Sequence, residues 1–137
     1  MRLYLDPSAL SKRYIEETGT PRVLELCRKA REILLSAVAL PEVISGLNHL
    51  RRGREITAEQ YATIKLEVCF DCEEATISDI TPEIVRTAIR CLELEPLRAA
   101  DALHLATAKE LACDLFVTAD RAQRKAAERL GFKAEFV

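Results

Sequence analysis

Tryptophan is absent, glycine and proline number only four and five, and aromatic residues make up 5% of the chain. Such sparse punctuation excludes linkers, low-complexity segments and repeat arrays, and leaves continuous regular structure as the expectation. No apolar run approaches the roughly eighteen residues needed to span a bilayer, and the opening MRLYLDPSAL lacks the apolar core of a secretion signal, so no membrane role is expected. Basic charge is not in excess. Twenty Lys and Arg face 22 Asp and Glu, for a net charge of -2, so any nucleic-acid site must be a local patch. Histidines number two, and the five cysteines (Cys27, Cys69, Cys72, Cys91, Cys113) are odd in number and scattered through apolar stretches. That pattern excludes a disulfide framework, serves zinc poorly, and fits free thiols in a reducing cytoplasm.

What is present is 137 residues, 49% hydrophobic, alternating strand-like and helix-like patterns. Arg2 to Leu5 is a short β-prone stretch ending at Asp6. Pro7 suits the first turn of a helix expected to run to about Glu16, because that position needs no backbone donor. Thr20 and Pro21 read as the cap and first turn of a helix carrying Val23, Leu24, Cys27 and Ala30 on one face. Strands are expected at Ile33 to Ser36, Ala75 to Ser78, Leu115 to Val117 and Lys133 to Phe136. Between them fall helices around Leu40 to Leu50, after the capping box of Thr57 and Gln60, around Ile84 to Leu92, over Ala99 to Ala112, and from Arg121 to Leu130. Short strands alternating with helices predict an α/β fold, a three-layer α/β/α sandwich with a mainly parallel central sheet, in one domain spanning residues 1–137. Ligands of such folds gather at the carboxyl edge of the strands.

Four acids point to that edge. Asp6 ends the first strand, Asp120 follows the Leu115 to Val117 strand, and Glu42 lies in the first turn of the helix behind the second strand. Asp101 opens the apolar helix RAADALHLATAKELA. Singly, these are the residues that cap helices, terminate strands or complement helix dipoles. Asp101 differs: its i+4, i+7 and i+11 neighbours are Leu105, Ala108 and Ala112, so its carboxylate is expected to turn inward and to need a partner. Four carboxylates at one edge repel by about 4 kcal/mol per pair at ~4 Å and an effective dielectric near 20. A hard divalent cation taking oxygen ligands, Mg2+ or Mn2+, is the economical counter-charge. Such a site supports phosphodiester hydrolysis by metal-activated water.

The blocks LYLDPSALSKRY, LSAVALPEVISGL and RAADALHLATAKELACDLFVTADRAQRKAAERLGF, in that order, resemble the PIN-domain family, in particular its VapC-like toxins. The resemblance spans nearly the whole chain. It implies that Asp6, Glu42, Asp101 and Asp120 are a metal-binding acidic quartet, with Ser8 and Thr118 as accessory polar groups. It also implies metal-dependent cleavage of RNA, inhibition by a small antitoxin protein, and a homodimer. One departure is Pro7, where many relatives carry Thr; it removes a hydroxyl and a backbone donor beside Asp6.

Other features have structural readings beside functional ones. Arg121, Arg124 and Lys125 could hold RNA phosphates or form a solvated helix face, and Arg98, one turn before Asp101, could pair with it or with substrate. The run Arg51-Arg52-Gly53-Arg54 reads as an exposed helix end and loop, and His104 as a satisfied structural histidine. Cys69 and Cys72 read as core, and the stripe Tyr61, Ile64, Val68 and Cys72 as core or as a dimer face. Two alternatives keep the scaffold and change the role: a binding-only PIN domain, which intact acids argue against, and a nuclease acting on DNA, since nothing in the chain reads a 2'-hydroxyl. A receiver-type signalling module would need paired acids after the first strand and a lysine at the end of a late strand; Pro7 and Ser8 follow Asp6, and Lys133 begins its strand.

Overall fold

The alternation read from the sequence becomes five strands and seven helices in the computed structural model, which describes residues 1–137. In chain order these are β1 (Arg2–Leu5), α1 (Pro7–Ser11), α2 (Thr20–Lys29), β2 (Glu32–Ser36), α3 (Ala39–Arg52), α4 (Ala58–Glu74), β3 (Thr76–Ser78), α5 (Pro82–Leu94), α6 (Ala99–Glu110), β4 (Leu115–Thr118), α7 (Arg121–Arg129) and β5 (Ala134–Phe136). All strand pairs are parallel, in the order β3-β2-β1-β4-β5. The chain builds outward from β1 to β2 and β3, then returns to the other side of β1 for β4 and β5. The strand order therefore reverses between β1 and β4, where a crevice opens beyond the carboxyl ends of an open parallel sheet.

Each central strand is buried on both faces, so its side chains divide by the period of two. Leu3 and Leu5 join Leu35, Leu115 and Val117 in a core under α1 to α4; Tyr4, Leu34 and Phe116 point the other way, into a core under α5 to α7. Tyr4 and Phe116 stack at 5.3 Å with nearly parallel rings. These two cores are the outer interfaces of the expected three-layer sandwich. Val68 and Cys72 are buried in the first, with Tyr61 and Ile64 packed against it, so the stripe on α4 is core. All five cysteines are free thiols.

Three local expectations are corrected. The first helix stops at Ser11 instead of running to Glu16, and the chain continues in turns. The cause is Lys12: it is buried, and its Nζ donates to the Thr18 carbonyl at 2.5 Å and faces Glu17 at 3.5 Å, so the chain folds back over it. Thr20 is not a cap; Gly19 caps α2 with φ of 94°, and a Cβ there would lie 2.6 Å from the Val137 carbonyl carbon, so only glycine fits. On the same helix Val23, Cys27 and Ala30 meet the core as expected, but Leu26 is buried in place of Leu24, which is exposed. Lys133 precedes β5 and its carbonyl accepts from Phe116 N, at the amino edge of the sheet, away from the acids. That placement removes the receiver-type reading.

Candidate active site

Because the sheet is wholly parallel, the ends of β1, β2 and β4 open onto one edge, and the residues that follow them face the β1/β4 crevice. Asp6 extends β1 by one hydrogen bond, from its N–H to the Val117 carbonyl at 3.1 Å, and then caps α1. Its Oδ1 accepts from Ser8 Oγ at 2.6 Å and from Ala9 N at 2.9 Å. Ser8 Oγ also accepts from Ala119 N at 2.9 Å, and lies 3.3 Å from Thr118 Oγ1, which accepts from Asp120 N at 3.0 Å. Ser8 and Thr118 thus stitch the end of β1 to the end of β4. Thr118 is fully buried, which fits this stitching and not contact with a substrate. Asp120 in turn caps α7, its Oδ1 accepting from Ala122 N at 2.7 Å and Gln123 N at 3.1 Å.

Glu42 reaches the edge from the first turn of α3, and its Oε2 meets His104 Nε2 at 2.5 Å. His104 is 1% exposed, and its other nitrogen, Nδ1, is 2.8 Å from the hydroxyl of the buried Tyr4. Asp101, in the first turn of α6, is not turned fully inward as its apolar neighbours imply. Its side chain is 21% exposed and is paired with Arg98 Nε at 3.1 Å, while its backbone carbonyl accepts from Gln123 Nε2 at 3.0 Å. That last bond ties α6 to α7. Gln123 Oε1 is buried with no partner. Arg121 packs its guanidinium 4.2 Å from the Phe136 ring centre, and Arg124 bonds Glu128 on its own helix, so of these two only Arg121 lies free of a carboxylate.

The charges at this edge act on one another. Burial pushes the Asp6 carboxyl above its usual range, against the opposing pull of Ser8, Thr118, the Ala9 amide and His104. Burial likewise raises the Tyr4 hydroxyl well above its ordinary value, and the charges of Asp6 and Glu42 add to it. The Arg98 guanidinium is held above its usual range first by its bond to Asp101, then by the charges of Asp120 and Glu42. These couplings set all four acids within electrostatic reach of one small region.

Whether that region suits a hard cation turns on its donors. It offers four carboxylates and no thiol, the set that Mg2+ or Mn2+ takes and zinc does not favour. In each carboxylate the well-aligned hydrogen bonds fall on a single oxygen: Asp6 Oδ1, Glu42 Oε2, Asp101 Oδ2 and Asp120 Oδ1. The second oxygens carry none. No three acids, histidines or cysteines stand at ligating distance, so loading the site requires side-chain rotation, above all of the Arg98-paired Asp101. The donor chemistry fits; the ligand shell is not preassembled.

Tyr4, His104 and Gln123 were not readable as members of this site. Tyr4 and His104 are a hundred residues apart in apolar segments, and the only signal was that both are polar tips in otherwise buried stretches.

The PIN domain family model matches residues 3–129. In fold the chain is similar to VapC20 of Mycobacterium tuberculosis, a toxin described as cleaving the sarcin-ricin loop, at 12% identity over 95% of both chains with a TM-score of 0.69. It is similar also to VapBC2 of Rickettsia felis, solved bound to a DNA fragment from its promoter, at 17% identity over 100% of this chain and 99% of that one with a TM-score of 0.70. FitAcB of Neisseria gonorrhoeae aligns at 16% identity over 98% of this chain and 96% of that one with a TM-score of 0.69. No curated protein matches the sequence.

Proposed function

The chain belongs to the PIN-domain family, and from that premise we propose that it is a metal-dependent endoribonuclease, the toxin of a toxin-antitoxin pair, acting through Asp6, Glu42, Asp101 and Asp120. The observation that carries this reading is the convergence of four carboxylates on the β1/β4 crevice, one of them the buried Asp6, with Arg98 as the one guanidinium bonded to any of them. A buried acid whose ionisation is resisted by its surroundings, on the same sheet edge as three more acids, is an arrangement that a divalent cation would relieve.

A bound Mg2+ or Mn2+ would supply a water of lowered pKa and neutralise charge on the phosphate under attack. The chain's own residues hold that place. Asp6 is fixed by Ser8 and the Ala9 amide, Asp120 by the first turn of α7, and Glu42 by His104. Arg98 and Arg121 are the cations proposed to hold flanking RNA phosphates, and Ser8 the hydroxyl beside the reacting group. Single-stranded or loop RNA is the proposed substrate, because its backbone can adopt the in-line geometry that a duplex resists.

The partner proposed is a small antitoxin, and the complexes among the fold relatives, VapBC2 included, support it. A groove beside α4 lined by Tyr14, Leu24, Leu66 and Phe70, the last three exposed, offers apolar surface of the kind that such a partner would cover. A homodimer and action in the cytoplasm complete the reading; no helix is long and apolar enough to cross a membrane.

Incubating the purified protein with a mixed RNA pool and with matched DNA, under Mg2+, Mn2+ or EDTA, tests it. Metal-dependent RNA cuts that vanish in Asp6→Asn and Asp101→Asn are expected. Cleavage undiminished in both variants would remove the site assignment, and DNA cut as readily as RNA would remove the substrate assignment.

A further inference from the structure

Glu42 stands out among the four acids because its protein contact is not a cap or a surface ion pair but the tip of a buried chain. That chain runs from the centre of the sheet outward. Tyr4 on β1 is completely buried, its hydroxyl lies 2.8 Å from His104 Nδ1, and His104 Nε2 lies 2.5 Å from Glu42 Oε2. Tyr4 is itself immobilised by its stack on Phe116 and by an edge contact with the His104 ring, centres 6.2 Å apart.

For an ionised Glu42 and a neutral His104 ring, the donor inventory sets the direction of this chain. An ionised carboxylate only accepts, so the hydrogen between His104 and Glu42 belongs to Nε2. In the neutral ring Nδ1 then accepts, and the Tyr4 O–H is its donor. Tyrosine thereby selects the tautomer, and the histidine holds one glutamate oxygen while the other, Oε1, accepts no hydrogen bond from the protein. α3 enters the site without a side-chain cap at Val38, so the first turn that bears Glu42 has no capping bond of its own.

We infer that Tyr4 and His104 are positioning residues for Glu42: they hold Oε2 against the core so that Oε1 alone is presented to a divalent cation. The inference rests on the site proposed above. A purely structural histidine fills the same space but has no reason to favour one replacement over another according to which nitrogen it keeps. A positioning histidine does. Glutamine at this position can set its amide nitrogen where Nε2 was, retaining the bond to Glu42; asparagine can set its amide nitrogen only near Nδ1 and loses that bond.

The experiment is titration of the metal-free protein with Mn2+, followed by the electron paramagnetic resonance signal of the free ion, for wild type, Glu42→Gln, His104→Gln, His104→Asn and Tyr4→Phe. Circular dichroism melting checks that each is folded. His104→Asn is expected to weaken Mn2+ binding about tenfold or more, Tyr4→Phe about threefold, and His104→Gln no more than about threefold, the scale on which outer partners of metal ligands act. His104→Asn binding Mn2+ as tightly as wild type, or His104→Gln binding as weakly as His104→Asn, overturns the inference while leaving the site intact. Should His104→Asn fail to fold, Tyr4→Phe decides: unchanged affinity there overturns it. Wild type that takes up no Mn2+, or Glu42→Gln that takes it up unchanged, overturns the site reading and the inference together.

Discussion

The two edges of the sheet use the same kinds of side chain to opposite ends. At the amino edge, Arg2 closes the structure: its Nε bonds Glu32 Oε2 at 2.8 Å, its backbone N–H donates to Asp114 Oδ2 at 2.6 Å, and its guanidinium reaches the Leu111 carbonyl at the end of α6. Glu32 gives its second oxygen to Thr76 at 2.6 Å, so each acid there is answered. At the carboxyl edge four acids have one bonded guanidinium among them, on an Arg98 side chain that is 80% exposed. The first edge is built to stay shut. The second leaves three of its four acids without a guanidinium partner, which is the physical difference between the two edges.

The sharpest way to break that contrast is Asp6→Asn. Asparagine keeps the bond from the Ala9 amide and removes the buried charge, so RNA cleavage is expected to fall at least about a hundredfold. Metal-free stability is expected to rise by roughly 1 kcal/mol, a melting shift of about 4 °C. The folded-state pKa of Asp6 lies above its unfolded value, so its contribution is favourable below the unfolded pKa and is lost as pH rises through the folded one. The wild type minus Asp6→Asn stability difference should therefore widen with pH above about 4. A melting profile of the variant that stays below wild type at neutral pH would refute the account of a strained edge.

Arg2→Ala strikes the other edge. It removes the guanidinium donor of Glu32 and of a helix-terminal carbonyl, and a lower urea midpoint is expected, with Mn2+ affinity unchanged. Here the pH dependence has the opposite sign. The Arg2 bond, then Thr76, holds Glu32 below its ordinary range, so its contribution is present above the unfolded pKa and lost as pH falls through the folded one. An Arg2→Ala protein with weakened Mn2+ binding would mean that the two edges are coupled.

Arg98→Ala is the mildest of the three. Its pair with Asp101 is exposed and solvent-screened, so melting should not move. Freeing Asp101 is expected to tighten Mn2+ about twofold at low salt, an effect that about 0.5 M salt should erase. Weaker Mn2+ binding instead would show that Arg98 orders Asp101 for its role.

The parts of this contrast that could be read in advance are those set by local rules. Strand ends and first turns of helices are marked by Pro7, Pro41 and the capping box at Thr57, and a parallel sheet then carries Asp6, Glu42 and Asp120 to one side. What escaped were consequences of contacts between distant residues. Lys12 ends α1 five residues before the expected Glu16 because the chain folds back onto its ammonium, and α2 buries Leu26 in place of Leu24 because of how it seats on the sheet. Val85, Ile89 and Leu92 on α5 keep the helical period yet stand exposed, since periodicity marks a face and says nothing of what covers it. The Tyr4–His104–Glu42 chain belongs to the same class: three elements, β1, α3 and α6, had to be placed before it existed.

The position of β1 between β2 and β4 also has a consequence in time. Asp6 is made more than a hundred residues ahead of β4, the strand that completes its crevice, and of the cap of α7. Contacts of such sequence separation form late, and no partial chain lacking β4 can gather the four acids. Gathering of the four acids, and with it any chemistry they carry, thus waits on the segment from β4 onward.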